Sequence, residues 1–527
     1  MKAIKNIMIA LSGIALLASC DMDKFFELDR PESNPWLSVD DLEYSVADPY
    51  NTLFQNPNWQ APIGIIPYYQ ELVADLSTVN PQGAYEQEAL YWYPRQMSTF
   101  DVTGQQFEKT FSILYRSVTG ATSPLTYIEE KEKKGEPVFA NMTENDKKTL
   151  ARQTGELYFM RGYTYWLISR AFVAPYDPAG GEGNNRKFIP LINRLDYSQE
   201  SARNPYMGTV KEVYDQMLSD FAKAKSLMPE DYFVRGRANK FSAAMMLMRV
   251  KWLMGDKDGA LEEADYVITK AEAGVAPFDL TEEPIVAFNR NAEQQYTVDP
   301  VSKEVMFECA FTESNQGNNV AIPLARMCKT GIYNFKSKTF DASNKLWLEG
   351  ARGSQNWQHG GWACAYWNPR LIKYIGWAVT DDPMDLTNYV PSAEALADKR
   401  FTQLHYFLKN YTDGGDKTIH EMAYNKTKWN AFWNDKYYRA PYGKYSQVPL
   451  IRLAEAYLTR ATLVLSKNAS QALGDVNKIR QRAGLTPLKN VTEADIEKER
   501  IKEFGFENGD RLLYLVAMQK TIDGQKR

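Results

Sequence analysis

The sequence is poor in the residues that most often bind metals or cross-link small scaffolds. Only three histidines occur among 527 residues (His359, His405 and His420), and they are widely spaced and lack ligand-like neighbours. The four cysteines form no CxxC pair, so neither a disulfide scaffold nor a thiolate metal site is indicated. We therefore expect no metal ion and no cofactor.

Three of the cysteines, Cys309, Cys328 and Cys364, lie in the second half of the chain. At most one disulfide can form among them, which leaves one thiol over. Whether any two of them pair stays open at this point, and buried free thiols are the favoured interpretation.

The sequence also lacks an excess of positive charge and long apolar runs. The formal net charge is −4, which does not favour nucleic acid as a partner. After residue 20 no stretch reaches the 18 or so consecutive apolar residues typical of a membrane span. The mature chain is therefore predicted to contact the membrane only through its N-terminus.

Recognisable catalytic motifs are absent as well. No Gly-rich phosphate loop, HExxH or GxSxG occurs. The stretch "ERIKE" places Glu499 and Glu503 four residues apart, and two carboxylates can perform glycoside hydrolysis. On one helix, however, such residues lie side by side and not across a cleft, so we interpret them as structural ion-pair residues. The chain is predicted not to be an enzyme, and a glycoside hydrolase is the remote alternative.

The N-terminus has the pattern of a signal peptide. Lys2 and Lys5 precede the apolar segment 7–18, which is too short for a comfortable span. The following "LLASC" resembles a bacterial lipobox, in which Cys20 becomes the first residue of the mature chain and carries lipid. A plain signal peptide with an incidental cysteine is the alternative. We predict a signal peptide over 1–19 and a lipidated tether over 20–37.

Aromatic residues are abundant, at 13% of the chain with 32 Tyr and 12 Trp. Flat rings stack on the apolar faces of sugars, and neighbouring polar side chains hydrogen-bond the hydroxyls. Two stretches, 83–97 and 347–370, combine both kinds of residue, although core packing is the alternative for each ring. The candidate ligand-binding residues are Tyr91, Trp92, Tyr93, Arg95, Trp357, Gln358, Trp362, Trp367 and Asn368.

The helical pattern divides the chain. Apolar spacing predicts mostly helices over 38–275 and again over 446–515, whereas 280–445 reads as a loop-rich insertion. Segments 239–256 and 257–274 are typical of a tetratricopeptide-like (TPR-like) hairpin, with a turn at Gly255 and close packing at Ala260 and Ala264. Helix ends are predicted from their capping residues, namely Ser38, Thr209, Ser470, Gly484 and Thr492.

Five stretches resemble the SusD/RagB family of nutrient-binding outer-membrane lipoproteins. At the C-terminal end these are "VPLIRLAEAYL", "VNKIRQRAGL" and "IEKERIKEFGFENGDRLLYL". Upstream, "ELYFMRGYTYWLISRAFV" with "FIPLI" and "RANKFSAAMMLMRVKWLMGD" are similar to the family's helices. One departure is Asn508, which stands where the family usually has glycine.

The resemblance implies a mostly α fold, a right-handed superhelix of TPR-like helix pairs that supports an irregular, loop-rich half with the ligand site. Residues 38–527 then form a single domain. The implied function is capture of an oligosaccharide at the cell surface for import through a SusC-like TonB-dependent outer-membrane transporter. A peptide-binding component of a RagB-type importer is the alternative within the same family.

Overall fold

The structure is a computed structural model of the 527-residue chain. It describes residues 36–54, 61–79, 105–196, 198–288, 302–309, 333–334, 339–340, 365–379, 390–411, 429–434, 436–437, 448–522 and 525–526. The predicted signal peptide and most of the predicted tether, with Cys20, lie outside these residues, as do Cys328 and Cys364. Within them Cys309 is a buried free thiol.

The N-terminal half is helical, as predicted. Helices α1 (Val39–Phe54) and α2 (Pro62–Val73) lead to two long helices, α3 (Gln105–Lys134) and α4 (Glu144–Phe172). Ser38 accepts a hydrogen bond from the Asp41 backbone, which confirms the predicted cap of α1. Helix α4 begins at Glu144, because Thr143 forms a capping box there.

A short antiparallel ladder joins α4 to the next helices. Strands β2 (Lys187–Pro190) and β3 (Met207–Thr209) pair around the short helix α5 (Gln199–Arg203), and a single 3-10 turn occupies Glu182–Asn185. Helix α6 (Val210–Leu227) then packs along α4, and its capping box at Thr209 confirms the predicted start.

Helices α7 (Lys240–Leu253) and α8 (Lys257–Glu272) form the predicted hairpin. Gly255 adopts a left-handed φ of +83° at the turn. Ala260 and Ala264 are fully buried where the helices meet. These small side chains let two helices approach closely, which is the packing expected of a TPR-like pair.

Short strands and helices replace long helices between α8 and residue 448. The strands of this part are β4 (Val305–Cys309), β5 (Tyr333–Asn334), β6 (Thr339–Phe340), β7 (Ala365–Trp367), β8 (Ala378–Val379), β9 (Val390–Pro391), β10 (His405–Tyr411) and β11 (Trp429–Asn434). The helical pieces are a 3-10 turn at Pro284–Phe288, α9 (Pro369–Tyr374), α10 (Ala393–Ala397) and α11 (Lys399–Leu404). The described ladders join only two strands each, so they do not form a continuous sheet.

The C-terminal part returns to helices but differs from the predictions at three points. Residues Val448–Arg452 form strand β12, paired with β4, before α12 (Leu453–Val464) begins, so the predicted helical part 446–515 opens with a strand. Helix α13 (Ala469–Arg482) is capped by Asn468 and not by Ser470, whereas its predicted end at Gly484 is confirmed by a φ of +79°.

The third difference is a break within the predicted helical part 446–515, after the helix that begins at Thr492. Helix α14 (Glu493–Phe504) starts with the predicted capping box at Thr492, but α15 (Asp510–Ala517) is a separate helix, followed by strands β13 (Thr521–Ile522) and β14 (Gln525–Lys526). Phe506, Asn508 and Gly509 between them have φ values of 63°, 52° and 68°. Helical periodicity cannot continue through left-handed residues.

One hydrophobic core extends through α1 to α15 and the strands that pack on them. In the parts of the chain that the structure describes, no helix combines the length and the apolar character needed to cross a membrane. The mostly helical fold class is therefore confirmed, whereas the predicted domain boundaries stay predictions.

Candidate ligand-binding site

One described ladder is adjacent in sequence to both aromatic stretches. Strand β1 (Ser77–Val79) pairs antiparallel with β7, and Val79 lies opposite Ala365. The first stretch follows β1, and most of the second precedes β7. Because β1 ends where β7 begins, both stretches join the described structure at the same end of one ladder.

Trp367, at the other end of β7, is part of the core. Its side chain is 0% exposed, and its ring packs against Trp377, His405 and Phe506 at centroid distances of 5.5, 5.2 and 5.3 Å. Gly505 lies so close that a Cβ there would be 2.4 Å from the indole. In this structure the ring anchors the ladder and has no free face for a ligand.

Asn368 has a structural position too. Its Oδ1 accepts from the backbone N–H of Arg370 and caps α9, while its Nδ2 donates to the Asp75 carbonyl at 2.8 Å. Its own backbone N–H donates to the Leu76 carbonyl at 2.9 Å. Asn368 therefore fastens α9 to the residues that lead into β1.

The other candidate residues lie outside the described part of the chain, and their contact with a ligand stays a prediction. They are Tyr91, Trp92, Tyr93, Arg95, Trp357, Gln358 and Trp362. What the structure describes is the ladder that precedes the first stretch in sequence and that contains residues 365–367 of the second.

A bidentate ion pair between Arg511 and Asp75 holds the start of β1 in place. Arg511 donates to both carboxylate oxygens of Asp75, at 2.6 and 2.7 Å, and to Glu497 at 2.6 Å. Burial by itself would lower the pKa of Arg511, but Asp75 and Glu497 outweigh it and raise the pKa. Two parallel hydrogen bonds fix orientation as well as charge, so the start of β1 is held against α14 and α15. The motif containing Arg511 was identified from sequence, but its partner Asp75 was not.

A buried network of ion pairs lies between the loop-rich part and the C-terminal helices. Arg452 contacts Glu503 at 3.0 Å, Glu507 at 2.9 Å and also Glu304. Arg482 pairs with Glu503 and with Glu304. These pairs connect β4, β12, α13 and α14, so they hold the insertion and the C-terminal helices together.

The carboxylates of "ERIKE" belong to this network, which confirms their structural interpretation. Glu499 pairs with Arg400 at 2.7 Å and with Arg480. Burial would raise the pKa of Glu499, but Arg400, Lys502 and Arg480 together lower it to about 2. A carboxyl that stays ionised and clamped in this way cannot act as the proton donor of a glycosidase.

Lys436 lies two residues after β11 and contacts the turn between α14 and α15. Its ammonium group is buried and donates to the carbonyls of Glu503 and Gly505, each at 2.8 Å, and to Glu507 at 2.7 Å. Burial lowers the pKa of Lys436, which Glu507 partly offsets. The same turn contacts Trp367 through Gly505, so Lys436 and β7 meet on one piece of backbone.

Asn508 explains how this turn tolerates a residue other than glycine. Its φ of 52° is left-handed, a conformation that Asn adopts more readily than most residues. Its side-chain amide donates to the carbonyls of Pro449 and Leu450 at 3.1 and 3.3 Å. The departure from the family pattern therefore adds hydrogen bonds to β12.

An open groove of about 550 Å³ lies between α6, α7 and α8. Three of its charged groups pair with one another, since Glu263 accepts from Lys225 at 2.7 Å and from Lys251 at 2.9 Å. One ring face of Tyr266 is covered by Lys225 and Phe241 stacks on the ring. The groove therefore lacks the open ring that glycan stacking requires.

Nothing in the described ranges forms a metal site, because no group of three His, Cys, Asp or Glu side chains is placed to hold an ion there.

Two family models match long parts of this chain. Residues 56–251 match a family described as "Starch-binding associating with outer membrane", and residues 303–511 match the "SusD family". The second match contains the C-terminal helices on which the resemblance rests, and together the two matches span more than half of the sequence.

Curated relatives agree with these matches. SusD-like protein P2 of Formosa agariphila is 25% identical over 373 residues, which cover 68% of this chain and 62% of that protein. Starch-binding protein SusD of Bacteroides thetaiotaomicron is 42% identical over 67 residues, 12% of each chain. The chain thus spans less than two thirds of the length of each of these relatives.

Solved structures share the fold. A SusD-like carbohydrate binding protein from Bacteroides vulgatus superposes with a TM-score of 0.63 at 16% identity, covering 92% of this chain and 85% of that one. Surface glycan-binding protein A from Bacteroides uniformis gives a TM-score of 0.59 at 16% identity and covers 93% and 90%. At such low identity the similarity establishes the fold alone.

Proposed function

Because this chain belongs to the SusD/RagB family, we propose that it is a cell-surface lipoprotein that captures oligosaccharides for import. The proposed import route is a partner TonB-dependent outer-membrane transporter. Cys20 is proposed to carry the lipid that holds the protein at the outer face of the outer membrane. No catalytic step is proposed.

The observation that carries the proposal is the pairing of β1 with β7. In the sequence, the first aromatic stretch begins four residues after β1 and the second contains β7, and the ladder itself is held by Arg511, Trp367 and Asn368. A glycan chain needs several rings and polar groups along its length, and both stretches contain residues of these two kinds. The names of two similar proteins, a starch-binding protein and a surface glycan-binding protein, support this ligand class.

Calorimetry on the full-length protein tests the ligand class. The probes are maltoheptaose, linear oligosaccharides of other linkages, and peptides of similar size. We expect one oligosaccharide class to bind, and we expect Trp362→Ala to weaken that binding about tenfold, equivalent to about 1.4 kcal/mol. Tyr206→Ala, an exposed tyrosine 57% accessible and remote in sequence from both stretches, is the matched control and should bind normally.

The other outcomes decide between the alternatives. Binding of peptides with no binding of any oligosaccharide would assign the chain to a RagB-type peptide importer and overturn the glycan proposal. Release of reducing sugar from a bound oligosaccharide would show a hydrolase and contradict the non-catalytic role.

A further inference from the structure

Helix α1 presents one face to solvent. Asp40, Tyr44, Asp48 and Asn51 are all exposed, and their spacing of four, four and three residues places them on one side of the helix. The opposite side, with Leu42, Val46 and Leu53, is fully buried. Leu37, just before the N-cap Ser38, is exposed at the start of the helix. Leu37, Asp40, Tyr44, Asp48 and Asn51 together are called the α1 outer face below.

This face has the two most exposed large hydrophobic side chains of the described chain. Tyr44 is 83% accessible and Leu37 is 67% accessible, more than Val379 at 59%. Single exposed apolar residues are ordinary on a protein surface. Here the two most exposed examples lie seven residues apart, and tyrosine is a residue enriched at the centres of protein interfaces.

The electrostatics of α1 point to the kind of partner. The helix contains four acidic residues (Asp40, Asp41, Glu43 and Asp48) and no lysine or arginine. Glu43 is engaged by Arg152, so Asp40 and Asp48 are the acids on the outer face. An anionic lipid surface would repel this face, whereas a protein surface with basic groups would attract it.

We infer that the α1 outer face is a docking surface for a protein partner that offers an apolar pocket to Tyr44 and Leu37 and basic groups to Asp40 and Asp48. The inference rests on the proposed function, in which the partner is the transporter. Asp40 and Asp48 then act mainly on association and orientation, and Tyr44 supplies the buried contact area.

The position of α1 in the chain agrees with this role. It is the first described helix after the predicted lipid anchor, and fifteen residues lie between Cys20 and Trp36. A fully extended segment of that length spans at most about 55 Å. The α1 outer face is therefore within reach of a protein embedded in the same membrane.

Co-purification from detergent-solubilised outer membranes tests the inference. The full lipid-anchored chain is expressed in its own cells and pulled down, and the transporter is identified by mass spectrometry. We expect Tyr44→Ala and Leu37→Ala to lower recovery of the transporter at least about tenfold. Tyr206→Ala should leave recovery unchanged. A benzoylphenylalanine placed at residue 44 should crosslink to the same transporter, and one at residue 206 should not.

Two further measurements keep the result interpretable. Each variant must keep the thermal midpoint and the oligosaccharide binding of the wild type, which shows that folding and the ligand site are intact. The double substitution Asp40→Lys and Asp48→Lys should also reduce recovery of the transporter, most strongly at low salt. The reason is that attraction to basic groups on the partner becomes repulsion.

Different results would contradict the proposed partner and the proposed docking surface. If the wild-type chain recovers no transporter, the proposed partner itself is wrong. If it recovers the transporter and Tyr44→Ala recovers it equally well, the partner stands and the docking surface is wrong. Binding of the α1 outer face to phosphatidylglycerol vesicles, or a crosslink between two copies of this chain in place of the transporter, would also overturn the inference.

Discussion

Glu71, at the residue scale, is a carboxyl group deep in the protein. It is 0% exposed, and its Oε1 accepts from the Gly509 backbone at 3.1 Å. Burial, and to a lesser degree the nearby Asp510, raises the pKa of Glu71 well above its ordinary value of 4.5. The folded protein therefore holds the proton of Glu71 more tightly than the unfolded chain does.

We expect Glu71→Gln to stabilise the protein in a pH-dependent way. In the wild type, stability falls as pH rises above about 4.5, because ionisation is favourable only in the unfolded chain, until the folded pKa is passed. Glutamine does not titrate and keeps an acceptor for Gly509. The variant's free energy of unfolding should exceed that of the wild type at pH 7, and the difference should shrink as the pH falls towards 4.

Thermal melts of both proteins from pH 4 to pH 8 check this expectation. Glu132→Gln, at an exposed position on α3, is the control and should show no such trend. A difference between wild type and Glu71→Gln that is the same at every pH would contradict the assignment of a raised pKa.

The roles of single residues could be predicted where the residues that determine them are close together in the chain. The ion-pair role of Glu499 and Glu503 was evident from their spacing on one helix, although their partners Arg400 and Arg452 come from distant segments. Trp367 shows the limit, because glycines and polar residues around it indicated a loop. Its burial depends on Gly505 and Phe506, which lie about 140 residues further along the chain.

At the scale of elements, capping chemistry predicted helix starts well. Thr209 and Thr492 form the expected capping boxes, because the cap and its partner are three residues apart and visible in the sequence. The break between α14 and α15 was missed, since the left-handed Phe506 is held by tertiary packing and not by its own preference. Strand β12 was missed for a similar reason, because its partner β4 lies far upstream.

The turn of the α7–α8 hairpin provides an element-scale prediction. Gly255 has a φ of +83°, and a Cβ there would lie 2.7 Å from the Cβ of Pro178. Gly135, with a φ of +66°, has nothing within 4 Å of the corresponding position. Alanine costs left-handed strain of about 1–2 kcal/mol at both glycines, but only at Gly255 does it also meet a neighbour.

We therefore expect Gly255→Ala to lower the free energy of unfolding by about 2–4 kcal/mol and Gly135→Ala by only about 1–2 kcal/mol. Thermal melts of the two variants beside the wild type measure the difference. Equal losses would mean that Pro178 moves aside freely and that the hairpin does not pack closely against the 174–185 segment.

At the scale of the whole molecule, the helical scaffold and the loop-rich part are joined by buried contacts. The β4–β12 ladder, the ion pairs of Arg452 and Arg482 with Glu304, and the hydrogen bonds of Lys436 all cross between them. A buried ion that loses its partner is costly, so these contacts fix the relative position of the two parts. The β1–β7 ladder is held to the C-terminal helices in the same way, through Arg511 and Asp75.

The attachment of the whole molecule to the membrane leads to the last prediction. Apart from the predicted lipid on Cys20, we expect nothing in the mature chain to insert into the bilayer. Cys20→Ala should therefore fold and bind oligosaccharide like the wild type but appear in the soluble fraction, because acyl chains supply the anchoring free energy, at about 0.8 kcal/mol per buried CH₂ group. Fractionation and metabolic labelling with a radioactive fatty acid measure both effects, with Cys309→Ala as the control because that thiol is buried in the core.

Lipid labelling that persists in Cys20→Ala would disprove the assignment of the anchor. Retention at the membrane without lipid would instead indicate that the proposed partner holds the chain, and Tyr44→Ala in the same background should then release it.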